Sequence, residues 1–115
     1  MGRKEINVCT NLDKKCENYK IMAIMYQDVI KYIDLVNNKM TINMQDDIIT
    51  RENQEYKFDL NFKNNNILIY AKKLKREFVK DIETLLIEKS NRHYLVRYRL
   101  IDDDIDNEYF LNFKK

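Results

Sequence analysis

Over 55–63, Tyr56, Phe58, Leu60 and Phe62 alternate with Lys57, Asp59, Asn61 and Lys63. A dry residue at every second position, with a charge or an amide between, fits a strand that packs one face and wets the other; it fits no amphipathic helix. The pattern returns in the last quarter of the chain. Tyr94, Val96, Tyr98 and Leu100 share one side, with Arg97 and Arg99 on the other beside Leu95. Residues 102–107 supply Asp and Asn for a turn, and Tyr109, Leu111 and Phe113 then resume the alternation. This is a terminal hairpin.

Shorter runs of the same kind lie between. Met40, Ile42 and Met44 alternate with Thr41 and Asn43. Asp46 and Asp47 mark a turn before 48–51, and Asn64, Asn65 and Asn66 mark another before 67–70. The chain has one glycine and no proline, so turns that need positive φ fall to Asn and Asp, which tolerate it better than most residues. Turn signals at this spacing describe an antiparallel meander of short strands.

Two stretches read either way. Within 72–89, Leu74, Phe78, Ile82, Leu85 and Leu86 fall at helical steps, yet Phe78, Ile82, Thr84 and Leu86 also line one side of a strand. Within 19–36, Tyr19, Met22, Ala23, Tyr26, Ile30 and Ile33 suit a helix that leaves Ile21, Ile24 and Met25 in water. Helices at both places make the fold α+β, the alternative architecture. Strands at both places make it a barrel.

From Met40 onward a further order of features stands out. Arg51 follows the strand residues Ile48 and Ile49, Phe62 closes an alternating strand, and Tyr70 comes next; Glu77 and Phe78 lead to Thr84, and Tyr98 and Leu100 sit in the penultimate strand. In this the chain resembles the YwiB-like family of bacterial domains of unknown function, small calycin-type barrels similar to lipocalins. The likeness covers about two thirds of the chain. Glu52 and Asn53 stand where the family's Arg-x-Gly turn has its glycine, and the N-terminal third lacks the family's Tyr-x-x-Tyr-x-Glu stretch. The resemblance implies a barrel and no particular activity. The fold expected is therefore all-β, an antiparallel meander closing into a calycin-like barrel of about eight strands, as a single domain over 1–115.

Several kinds of chemistry find little here. One glycine, at Gly2, leaves no phosphate-cradling loop and no dinucleotide fingerprint. Ser90 and His93 lie close in sequence, but no glycine-flanked elbow surrounds the serine, so they read as turn and strand-start residues. Asp102, Asp104 and Asp106 imitate the start of a calcium loop, which then meets Asn107 and Phe113 where it needs glycine and an acid. Cys9 and Cys16 have no second pair and match no zinc spacing; they read as two free thiols of a reducing compartment. No metal, cofactor or catalytic group is expected, and the chain is not expected to be an enzyme.

Partners follow from charge and shape. With 21 Lys+Arg against 19 Asp+Glu, the net charge of +2 is too small to point to nucleic acid. No apolar stretch of membrane-spanning length or leader character is read in the sequence, and a cytoplasmic location is expected. A barrel interior lined by Tyr56, Phe58, Phe62, Tyr94 and Tyr98 would be filled by its own side chains or hold one small apolar or amphipathic ligand. The alternative is an interaction protein that docks a protein or nucleic acid through a basic outer face of Lys72, Lys73, Lys75, Arg76, Arg97 and Arg99. An uncovered edge strand would also admit a second copy as a homodimer.

Overall fold

The computed structural model describes residues 2–113. These form ten strands and no helix: β1 (Gly2–Leu12), β2 (Lys15–Tyr26), β3 (Val29–Ile33), β4 (Lys39–Asn43), β5 (Ile48–Glu52), β6 (Tyr56–Asn61), β7 (Asn66–Ala71), β8 (Arg76–Lys89), β9 (His93–Leu100) and β10 (Asp106–Asn112). Each strand pairs antiparallel with its neighbour in sequence, and β1 also pairs with β10, so the meander closes into a barrel. It has ten strands where about eight were expected. One extra is β1 in the polar N-terminal third, where Ile6, Val8, Thr10 and Leu12 alternate inward, and the other arises because the stretch 19–36 takes part in two strands, β2 and β3.

Both ambiguous stretches are strands. In β2, Tyr19, Ile21, Ala23 and Met25 turn inward opposite β1, while Met22 and Ile24 face out. The three residues that no helix could bury are thereby divided between the two faces, and the helices at 19–36 and 72–89 do not occur. β8 is long enough to change neighbours: its first half pairs with β7 and its second half with β9. An irregularity between Thr84 and Leu86 adds one residue to β8 there, the signature of a β-bulge. Beyond it Ile87 takes the inward side and Leu86 falls opposite outward Arg97, so Leu86 does not share a face with Ile82. A one-residue insertion flips the pleat for everything that follows.

The turns show how a chain nearly without glycine closes hairpins. Asp13, Lys14, Gln27, Asn37, Asp47, Asn65 and Lys75 all take positive φ. Asp and Asn were expected in this role; two lysines and a glutamine join them. Asp106 and Asn107, by contrast, belong to β10 and not to the turn before it. Leu12 and Lys15 are paired across Asp13 and Lys14, both left-handed at φ 50 and 65, a two-residue type I′ connection. The second place in such a turn favours glycine, and a side chain in this region costs about 1 kcal/mol. Lys14→Gly is therefore expected to raise stability by about 0.5–1 kcal/mol in urea unfolding; a loss of stability would mean that the lysine side chain contributes a contact of its own.

The two ends of the barrel differ. At the end carrying the β2–β3, β4–β5, β6–β7 and β8–β9 turns, the interior is packed solid. Ile6, Val8, Ile30, Ile42, Tyr94, Val96 and Leu111 are at most 1% exposed. Asp47 plugs this end. Its carboxylate is buried, accepts from the Tyr94 hydroxyl at 3.2 Å, and pairs with Lys89 Nζ at 2.9 Å. Lys89 also donates to the Met44 carbonyl at 2.9 Å, and the Asp47 carbonyl accepts from Phe62 N at 2.9 Å. The other end, ringed by the β1–β2, β3–β4, β5–β6, β7–β8 and β9–β10 turns, is not filled in this way. No helix among the described residues is long and apolar enough to cross a membrane. The barrel's outward faces mix Lys57, Asp59, Arg97, Arg99 and Glu108 with the exposed apolar side chains Met22, Ile24 and Val79.

Candidate functional site in the barrel mouth

Along the unplugged half the inward positions run Met40 on β4, Ile49 on β5, Leu60 on β6, Ile67 and Ile69 on β7, and Leu100 on β9. They enclose an open cavity of about 320 Å³, at the lower end of the range that takes small molecules. Phe58, Tyr98 and Tyr109 supply aromatic wall. Tyr98 packs on Phe62 with ring centroids 5.4 Å apart, and since Phe62 does not reach the cavity, this pair marks where packing ends and space begins.

Polar groups are few, and they sit on this wall. Arg51 lies inward on β5, opposite Phe58, with its guanidinium 4.8 Å from the Phe58 ring centre. Lys80 lines the cavity from β8, and Asp13 and Asn107 from the rim, where Asn107 Oδ1 accepts from Asp13 N at 2.8 Å. The hydroxyl of Tyr109 is buried without a hydrogen-bond partner, as is that of Tyr32 on β3. A buried hydroxyl with no partner is uncommon and costs about 1–3 kcal/mol.

Burial acts on the tyrosines as acids. It pushes Tyr98 up to about 12, although Arg51 pulls it back somewhat, and Tyr19 up to about 12 with help from Asp34 and Glu17. Burial raises Tyr109 well above its ordinary value, with Tyr19 adding to it, and raises Tyr94 with help from Asp47. The folded chain thus holds these protons more tightly than the unfolded chain, whose tyrosines ionise near 10. Stability from this source is complete below pH 10 and is lost as the pH climbs from about 10 through 12. Titration followed by ultraviolet absorbance and circular dichroism is expected to show a late tyrosine step that coincides with unfolding. A single ionisation step near pH 10 with the fold intact would overturn it.

The residues singled out from sequence divide by height along the barrel. Phe58 and Tyr98 line the cavity. Tyr56 stands at the rim, exposed and stacked on Phe58 at 5.7 Å. Phe62 and Tyr94 are buried in the plugged half. Sequence reading passed over Arg51 as a site residue and Tyr109 likewise, although both fall on the inward side of their strands; an inward arginine is itself the signal.

The basic residues are spread over two elements. Lys72, Lys73 and Lys75 lie in the β7–β8 turn and Arg76 opens β8, while Arg97 and Arg99 face outward from β9. Three of the six are paired with carboxylates: Lys72 with Glu52 at 2.8 Å, Arg97 with Glu108 at 3.5 Å, and Arg99 with Asp106 at 2.6 Å. Ser90 and His93 do meet, Oγ to Nδ1 at 3.1 Å, but the same Oγ accepts from the backbone of Arg92 and His93 and so closes the β8–β9 turn. Asp103 caps its own turn through Ile105 N. Among the described residues no group of three His, Cys, Asp or Glu side chains is placed to hold a metal ion. Cys9 and Cys16 are free thiols near one another on the outer face of the first hairpin, where burial and the Cys16 thiol raise Cys9.

No family model, no curated protein and no solved structure matches the chain.

Proposed function

We propose that this chain is a binding module whose barrel mouth takes a small apolar or amphipathic ligand, in the manner of the calycin-type barrels that its order of sequence features from Met40 onward resembles. One observation carries the reading. Half the interior is packed to near-zero exposure, while the other half keeps about 320 Å³ of open apolar space. Leaving such space unfilled forfeits contacts that larger side chains would supply, a cost that a ligand offsets when it enters.

The test uses the neutral fluorophore N-phenyl-1-naphthylamine with the full chain. Fluorescence is expected to rise on mixing. Leu100→Trp, which projects an indole into the cavity, is expected to weaken that binding at least tenfold while circular dichroism shows the barrel retained. Native mass spectrometry beside the denatured mass adds a second readout, a mass excess that disappears on denaturation. No fluorescence gain together with matching masses would sink the proposal.

A further inference from the structure

The cavity is apolar, yet its wall carries charge that the protein itself does not neutralise. None of the four ion pairs among the described residues includes Arg51 or Lys80. Arg51 lies inward, between Met40 on one neighbouring strand and Phe58 on the other, and its closest aromatic contact is the Phe58 face. A guanidinium beside apolar side chains has lost part of its hydration and gains most from a bidentate anion. Tyr109 stands on the same wall, with its hydroxyl closed off from the cavity and without an acceptor.

We infer that the ligand is a monoanionic amphiphile, a carboxylate on an aliphatic or aromatic body, with its carboxylate on Arg51 and its apolar body against Met40, Ile49 and Ile67. This rests on the binding-module reading and names the ligand class for that site. Charge sets the valence. Arg51 and Lys80 bring two positive charges to the cavity wall and Asp13 one negative, which leaves a single net positive charge for the ligand to match. A dianionic phosphate head would exceed that net positive charge by one. Volume sets the size: about 320 Å³ accommodates a short chain or a ring system and not a two-chain lipid.

Displacement of bound N-phenyl-1-naphthylamine by decanoate, 1-decanol and decyl phosphate separates the possibilities. Decanoate is expected to displace the probe at a concentration at least tenfold below that of 1-decanol. In Arg51→Gln the ratio is expected to fall within threefold. Because the ratio is taken within one protein, any general weakening of binding cancels. Lys80 is exposed, so Lys80→Gln gives a second variant whose folding is not at risk, and a narrowing of about threefold is expected there. Equal displacement by decanoate and 1-decanol in the unaltered chain overturns the anionic ligand and leaves the binding module standing. A ratio that survives both substitutions overturns the assignment to Arg51. Decyl phosphate displacing tenfold better than decanoate overturns the monoanion. Absence of probe binding removes the binding module itself, and this inference with it.

Discussion

Asp47→Ala is expected to lower stability by about 3–5 kcal/mol, the largest single effect of any polar substitution in this chain. The change deletes the acceptor of the Tyr94 hydroxyl and the partner of Lys89, and it does so at a position that is 4% exposed. Tyr94 cannot turn its hydroxyl to water, since the residue is 0% exposed. Lys89 is partly exposed and rehydrates, which keeps the loss toward the lower end of the range. A second cost is local. Asp47 sits at φ 56, a conformation that Asp tolerates better than Ala does. For a chain of this size the sum corresponds to a fall in Tm of about 12–20 °C.

Asp47→Asn separates the contributions. It keeps an acceptor for Tyr94 and the tolerance for positive φ, and removes only the charge facing Lys89. It is expected to cost about 1–2 kcal/mol. Equal losses for Ala and Asn in urea unfolding would mean that the ion pair alone closes this end of the barrel and that the Tyr94 hydrogen bond contributes nothing.

Leu111→Ala is expected to cost about 3–4 kcal/mol, and Leu100→Ala only about 1–2. Leu111 is 0% exposed between Val8 and Tyr94, so its removal leaves a void that rigid neighbours cannot fill. Leu100 already faces open space on one side, and its truncation enlarges an existing cavity without creating one. The comparison tests the central structural claim, that one half of the interior is packed and the other is not. Equal costs at the two positions would mean that the mouth is as well filled as the plugged end, and the proposed ligand would lose its place. Leu100→Ala is also expected to keep or strengthen probe binding, in contrast with Leu100→Trp, so stability and binding respond oppositely at the same residue.

Much of the fold was legible because strand faces are a local property. The alternation through Phe58 and Leu60 and through Tyr94, Val96 and Tyr98 puts each of these side chains on the inward face, while Tyr56, in the same phase, stands exposed at the rim. The terminal hairpin follows from the same rule, with β10 beginning at Asp106. The N-terminal strand was equally present in the alternation of Ile6, Val8, Thr10 and Leu12, but the charged and amide residues between them masked it. The stretches at 19–36 and 72–89 were undecidable locally. Their apolar residues fit two periods, and only pairing over their full length to β1, and to β7 and then β9, makes the strand form prevail. The bulge near Leu85 belongs to the same class, because a register shift is defined by the partner strand and leaves no mark on the period before it.

What the amino-acid order determined by itself, then, is which side of a strand each residue occupies: period two is written into consecutive residues, and Phe58, Phe62, Tyr94 and Tyr98 all point inward by it. How far along the barrel axis each one sits was decided only by the tertiary structure. Height depends on the stagger accumulated from strand to strand around the closed sheet, a sum over pairings between distant residues. That sum places Phe58 and Tyr98 beside Arg51 at an open cavity and sends Phe62 and Tyr94 to the packed end near Asp47. Two inward aromatics became core and two became the wall of the open cavity for this reason alone.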